Sequence, residues 1–292
     1  MKLGRAFPKV PGSTHSVIGK FSPMCYTEHT VIQKYKYKGE IPMNEPIKAI
    51  VLAAGKGTRL RTEGVDLPKA LREAAGKPLL GYVLEELGFL PAQDILLVVG
   101  YEGDKVAAAF PGYAKVYQSP QLGTGHAVQC AEGAMKGFEG QILICYGDMP
   151  LLPRRAYETL LRQHVEEGNA CTLMAGLASV PMPFGRILRD ATGGFDRIIE
   201  DRDCNEEEKQ IKELNAGVYV FESRSLWRAL TTLRPNNVQG EYYLTDAPVW
   251  LKAQGEKVGV CAACTPEEML GVNDIDQLHL VEEIIEKRRA AQ

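Results

Sequence analysis

Residues Ile50 to Leu60 read IVLAAGKGTRL, and this stretch decides the architecture. An apolar run stops abruptly at two glycines, a lysine, a threonine and an arginine. The run has the composition of a buried strand, and the change to glycine, hydroxyl and charge marks a turn shaped to receive an anion, phosphate above all. Two familiar phosphate cradles do not fit. Gly55 is not followed five residues on by the Gly-Lys-Ser/Thr of a Walker loop, and Leu60 stands where the dinucleotide fingerprint needs its third glycine. Ala53, Ala54 and Gly55 carry so little side chain that a nucleotide can approach the backbone; Gly57 supplies freedom in φ, and the amides around Thr58 can point at phosphate oxygens. Arg59 adds a fork-shaped donor, and Lys69, after a proline-stiffened turn in LPKAL, adds a second cation. Amides and two cations suit a triphosphate, although the segment taken alone also reads as an ordinary glycine-rich strand-to-helix turn with basic residues at its surface.

Outward from this turn, β-like and helical patterns alternate. KAIVLAA, DILLVVG, AKVYQ, QILICYG, ACTLMAG, GRILRD, ELNAGVYVF and KVGVCAA read as strands, and LLGYVLEELGFL, GHAVQCAEGAMKGF and RRAYETLLRQHVEEG as helices between them. Near-continuous apolar strands separated by helices imply a Rossmann-like α/β fold, a mixed and mostly parallel sheet covered on both faces. Ligands in such sheets bind beyond the carboxyl ends of the strands. Residues 1–46 form a separate N-terminal arm with some β character in HSVIGKF and HTVIQKYKYKG, read as a hairpin that packs on the remaining domain, residues 47–292, or on a second subunit. CNEEEKQIKE, from Cys204 to Glu213, reads as a solvated insertion.

The chain as a whole sets the limits. Its 292 residues, 45% hydrophobic content and formal charge of -3 describe a globular protein able to bury a sizeable core. That balance recruits neither nucleic acid nor an anionic membrane, and the partners expected are small molecules, with the protein a monomer or small homo-oligomer. No apolar stretch reaches spanning length, and the start, MKLGRAFPKVPG, breaks too early to be a secretory signal. The seven cysteines are scattered, which points to reduced thiols in a cytoplasmic setting. CAAC, Cys261 to Cys264, lacks a second pair or a histidine cluster and reads as strand filler.

Taken with LPKAL and GKPLL, the opening turn resembles the signature of the sugar-1-phosphate nucleotidyltransferases. QSPQLGTGHAV, YGDMPLL, FGRI, IIEDRD, ELNAGVYVF, NVQGEYYLTD and GVND then follow in the order found in the uridyltransferase domain of bacterial bifunctional N-acetylglucosamine-1-phosphate uridyltransferases, over about residues 47–280. Each motif is weak alone; their order is not. The resemblance implies that Leu52, Ala53, Ala54, Gly55, Gly57, Thr58, Gln118, Gly123 and Thr124 bind nucleotide, with Gln118, Gly123 and Thr124 reading the pyrimidine. Tyr146, Gly185, Glu200 and Asn215 would hold an N-acetylhexosamine. Arg59 and Lys69 would be catalytic, and Asp148 and Asn273 would position Mg²⁺, a hard ion suited to oxygen donors.

The chemistry implied is in-line attack of a hexose 1-phosphate, N-acetylglucosamine 1-phosphate above all, on the α-phosphorus of UTP, with pyrophosphate leaving. Another nucleotide or sugar 1-phosphate would run the same chemistry, and a non-catalytic sugar-nucleotide sensor is the reading from a different class. Structural alternatives stand beside each role. Asp148 could cap a helix, Glu200 could pair with Arg197 or Arg202, and Asn215 could cap a turn. His126 reads as packing or capping. The sequence departs from the family between Arg59 and Lys69, where LRTEGVDLP is longer than usual. It departs again at DIDQLHLVEEIIEKRRAAQ, an amphipathic helix where the bifunctional proteins continue into a left-handed β-helix, so acetyltransfer is expected to be absent.

Overall fold

The computed structural model describes residues 45–60, 67–180 and 182–291. The expected N-terminal arm lies outside the described residues except for Glu45 and Pro46, as do residues 61–66 of the long segment before Lys69.

The apolar run at the start of the motif is β1 (Ile47–Ala53), followed by a small hairpin of β2 (Glu73–Ala74) and β3 (Lys77–Pro78), then β4 (Ile95–Val99) and β5 (Ala114–Tyr117). The second half holds β6 (Gln141–Tyr146), β7 (Cys171–Leu177), β8 (Arg186–Arg189), β9 (Phe195–Ile199), β10 (Glu213–Glu222) and β11 (Val258–Cys264). They build a nine-stranded sheet in the order β11-β7-β10-β6-β1-β4-β5, with β8 and β9 attached beside β10. Its main path is parallel except at β10, which runs antiparallel to both β6 and β7. This is the mixed, mostly parallel α/β sheet that the sequence predicts. Among the described residues there is no left-handed β-helix.

Alternation along the central strands explains the two-faced core. In β1, Ala49, Val51 and Ala53 face one apolar layer, while Ile50 and Leu52 face the other. Helices α1 (Leu79–Glu86) and α4 (Arg154–Glu167) cover the first layer with Leu80, Val83, Leu160 and Leu161. Helices α3 (Thr124–Gln129), α5 (Ser223–Leu230) and α6 (Asp246–Ala253) cover the second with Val128, Leu226, Leu230 and Leu251. From Ala49 onward β1 is buried on both sides and apolar at every position, so it shows no polar alternation there. Helix α2 (Gly103–Ala109) follows β4.

One expected helix is shorter than predicted. Of GHAVQCAEGAMKGF only the first part is helical, and from Cys130 the backbone continues in tighter turns, with Ala131 and Glu132 bonding three residues back. Gly133 and Gly137, the latter at φ 78°, weaken propagation there.

The final helix, α7 (Ile275–Ala290), buries Val281, Ile284 and Ile285 against Leu60, Ala74, Leu79, Tyr82, Leu151 and Val272. That third cluster joins the end of the glycine-rich turn to the end of the described chain. Arg288 and Arg289 reinforce it by donating to the carbonyls of Leu151 (3.0 Å) and Ala75 (3.1 Å).

Candidate active site

Strand order reverses at β1, since the chain leaves it for β4 and β5 on one side and returns to β6 on the other. Crevices in open α/β sheets form at such points, beyond the carboxyl ends of the strands. Here Leu52 and Tyr146 are paired at the ends of β1 and β6, and a cavity of about 350 Å³ opens directly above them. Leu52, Ala53, Ala54, Gly55, Lys69, Gln118, Gly123, Thr124, Tyr146, Asp148 and Asn273 all line it.

The Gln118–Thr124 loop is held by a second segment. Tyr242 donates its amide to Leu122 O (2.8 Å), Gly125 donates to Tyr242 O (2.7 Å), and Leu244 donates to Thr124 Oγ1 (3.0 Å). Gly123 sits at φ 108°, and a Cβ there would lie 2.7 Å from Tyr242 O, so only glycine permits this approach. Gln118 is buried, and its Nε2 donates to Gly123 O (2.9 Å) with His126 Nδ1 3.2 Å away. His126 therefore steadies the loop from behind, in line with a packing role.

At the phosphate end, the Lys69 ammonium donates to Asn273 Oδ1 (2.7 Å) and forms an ion pair with Asp148 Oδ2. Lys69 is fixed to the glycine-rich turn by its own amide, which donates to Gly55 O (3.3 Å). Asp148 caps no helix: the next one, α4, begins at Arg154 behind Pro153. Its carbonyl instead accepts from Val272 (3.0 Å), which brings GVND to the site. Asn273 is placed by the start of α7, where the Asp274 carboxylate accepts from the Gln277 amide (2.9 Å) and Gln277 Oε1 accepts from the Asn273 amide (2.7 Å). This is a variant of the reciprocal capping that starts many helices.

A carboxylate and an amide oxygen meeting on one cation match the donor set a hard divalent ion takes when substrate phosphates supply further ligands. Asp148 and Asn273 are thus suited to hold such an ion. Among the described residues there is no cluster of three or more His, Cys, Asp or Glu that could hold a metal by itself.

Tyr146 divides this cavity from the expected sugar residues. Its hydroxyl shares a hydrogen bond with the Thr124 hydroxyl, and burial, reinforced by the charge of Glu200, pushes the phenol far above its ordinary range. A Cβ on Gly217 would lie 2.7 Å from the Tyr146 ring, so β10 passes directly against it. Asn215 is buried there, donating to Tyr219 Oη (2.7 Å) and accepting from the Gly217 amide (3.1 Å), while its own amide donates to Gly185 O (2.8 Å). Glu200 accepts from the Thr245 hydroxyl (3.0 Å), and burial raises its carboxyl above the usual carboxylate range. Neither arginine proposed as its partner takes it: Arg197 pairs with Asp196, and Arg202 donates to Gln239.

Gly57 and Thr58 face a neighbouring cavity, lined also by Lys56, Tyr101, Asp104 and Ser119, which shares Gln118, Gln121 and Glu241 with the first. Arg59 lines neither. It is exposed on the short 3-10 turn Thr58–Leu60, while Leu60 beside it turns into the third apolar cluster.

The family model for the MobA-like NTP transferase domain matches residues 49–244, more than half of the chain. The chain belongs to this family. The "Bifunctional protein GlmU" of Streptococcus suis is 41% identical over 241 residues, covering 82% of this chain and 52% of its own. Those of Streptococcus equi subsp. zooepidemicus and Streptococcus thermophilus are 42% and 40% identical over the same length. The chain spans about half the length of the curated relatives it matches. The matched range takes in β1 from Ala49, the glycine-rich turn and the Gln118–Thr124 loop; Asn273 and α7 lie beyond it.

Five lining residues escaped the sequence reading, Ala70, Gln121, Ala127, Gly147 and Glu241, and two of them bring polar side chains. Gln121, within QLGTG, donates to Ala54 O and so ties the base-side loop to the phosphate-side turn. Glu241 lies at the mouth of both cavities, on a loop that Asn237 folds by donating to Glu241 O (2.6 Å) and accepting from its amide (3.2 Å). NVQGEYYLTD was visible as a motif, yet only the pairing of its loop with residues 122–125 shows why it matters.

Proposed function

We propose that this protein is a sugar-1-phosphate uridyltransferase that joins UTP and a hexose 1-phosphate, most readily N-acetylglucosamine 1-phosphate, into a UDP-sugar and pyrophosphate. The observation that carries the reading is the meeting of Lys69, Asp148 and Asn273 at one end of a cavity whose other lining is the glycine-rich turn and the Gln118–Thr124 loop. The cation group and Gly55 share this cavity, and Gly57 and Thr58 face the neighbouring one, which meets it at Gln118, Gln121 and Glu241. The match to the MobA-like NTP transferase domain supports the choice of nucleotidyl transfer, and the Tyr146, Glu200 and Asn215 group supports a neutral, hydroxyl-rich sugar, for which a carboxylate and an amide are apt partners.

In this reading a phosphate oxygen of the sugar 1-phosphate forms a bond to the α-phosphorus while the bond from that phosphorus to the pyrophosphate oxygen breaks. The chain holds the reactants in line and offsets developing charge, and no covalent nucleophile is used. Amides from Gly55 to Thr58 face the triphosphate, and Lys69 neutralises the transferred phosphoryl group. Asp148 and Asn273 would hold the divalent ion, Mg²⁺ in our reading, and that ion would supply Lewis-acid withdrawal of charge from the phosphates. Arg59 reaches the triphosphate only if its side chain turns in from the exposed position it occupies here. The six described cysteines are free, which suits the reducing cytoplasm in which we place the reaction. Among the described residues no helix is long and apolar enough to cross a membrane.

The test is pyrophosphate release measured with Mg²⁺ across a matrix of nucleoside triphosphates and hexose 1-phosphates, with a chelator control. A chelator-sensitive maximum at UTP with N-acetylglucosamine 1-phosphate is expected. A maximum at another pair would correct the specificity, and tight UDP-sugar binding without release from any pair would replace the enzyme with a sensor.

A further inference from the structure

Lys69 occupies the place a metal would take. Its ammonium contacts Asn273 Oδ1 at 2.7 Å and pairs with Asp148 Oδ2, and only 15% of the lysine and 19% of the aspartate side chain are exposed. The two oxygens belong to residues whose backbones are anchored. The Asp148 carbonyl accepts from Val272 (3.0 Å), the Gly147 amide before it donates to Leu52 O (2.9 Å), and the Asn273 amide donates to Gln277 (2.7 Å). The lysine is the movable member. Its stem runs along the glycine-rich turn, where a Cβ built on Gly57 would lie 3.1 Å from Lys69 Cβ and one built on Gly55 3.6 Å from Lys69 Cδ. The turn that would cradle phosphate thus lies directly against the lysine stem.

We propose that Lys69 is the resident cation of the metal site, and that divalent metal and nucleotide bind cooperatively because the phosphates draw the ammonium away from Asp148 and Asn273. This rests on the nucleotidyltransferase reading above. An ammonium and a divalent ion cannot share two oxygens a few ångströms apart without strong repulsion. In the nucleotide-free protein an arriving metal must push the ammonium off Asp148, its carboxylate partner among the described residues. Once a triphosphate lies against the turn, the ammonium gains an anionic partner there and the oxygens are released. Each ligand thereby removes a cost that the other would otherwise meet, which is a reciprocal coupling.

The experiment titrates the nucleotide-free full-length protein with Mn²⁺ and counts free aquo-Mn²⁺ by EPR. The unaltered protein should bind weakly, Lys69→Met should bind about tenfold tighter or more, and adding Asp148→Asn to Lys69→Met should abolish the gain. Lys69→Gln, which keeps a donor beside Asp148, should show the same gain if Lys69→Met does not fold. A second readout uses the unaltered protein: Mn²⁺ should speed pulse acetylation of Lys69, followed by mass spectrometry, because displacement frees the amine. Mn²⁺ binding by the folded Lys69 variants no tighter than by the unaltered protein, or Lys69 acetylation indifferent to Mn²⁺, overturns the proposal. Neither readout needs turnover, so a failed pyrophosphate assay strikes the proposed function and a failed Mn²⁺ assay strikes this inference.

Discussion

His164 shows how one residue converts burial into a pH dependence. It is buried between β6 and β7, with Nε2 2.7 Å from Gln141 Oε1 and Nδ1 2.9 Å from Thr172 Oγ1. Burial lowers its pKa from 6.5 to about 4. The unfolded chain takes up this proton as pH falls through about 6.5, whereas the folded chain resists until about 4. Stability is therefore full above the upper value and declines through that window by about 1.4 kcal/mol per pH unit. Denaturant melts from pH 7 to 4.5 should show that slope, and His164→Gln should flatten it. Gly217 makes a second test. At φ 76° with its Cβ position 2.7 Å from the Tyr146 ring, Gly217→Ala should cost about 1–3 kcal/mol of stability. Steady-state kinetics should then show KM for the sugar 1-phosphate rising more than KM for the nucleotide. For Asp148, replacement by Ala should remove turnover while leaving a folded protein, and a sensor would keep its UDP-sugar affinity.

At the scale of elements, the start of α7 couples a helix to the chemistry. Asp274 satisfies the Gln277 amide in the first turn of the helix, and Gln277 in return pins the Asn273 backbone just before it. Asp274→Ala should cost about 1 kcal/mol in thermal melts, the usual cost of a lost cap. Gln277→Ala should lower kcat more than its small effect on stability would suggest, because Asn273 then loses its register over Lys69. Equal fractional losses of stability and turnover would count against such a positioning role. The loop from Asn237 to Asp246 acts comparably for the base side, since its backbone pairs with residues 122–125 and leaves Glu241 at the cavity mouth.

Across the whole molecule, the site depends on segments far apart in sequence that meet at the carboxyl ends of the central strands and in one small core. Leu60 from the glycine-rich turn, Leu79 and Tyr82 from α1, and Ile284 and Ile285 from α7 pack together, so the last helix braces the turn that would receive phosphate. Ile285→Ala should cost about 2–5 kcal/mol through lost burial and the cavity left behind. Its effect should reach the site as well: a raised KM for nucleoside triphosphate is expected, although Ile285 lines neither cavity. An unchanged KM in a clearly destabilised variant would show the brace to be structural only.

Sequence alone determined the sheet type, because a strand buried on both faces must be apolar throughout and a phosphate turn must be glycine-rich. It also determined most of the cavity lining, from Leu52 to Asn273, since those residues sit in ordered motifs with local chemical reasons. Tertiary structure decided the rest. Strand order, with antiparallel β10 set between β6 and β7, depends on long-range pairing that no local pattern encodes. Gln121 and Glu241 became site residues only when separate loops met. From sequence, Arg59 and Lys69 read alike as two cations for one triphosphate, yet one stays exposed while the other is drawn between Asp148 and Asn273. A carboxylate and an amide brought there from distant strands and helices select the lysine by proximity, and proximity is what folding adds to sequence.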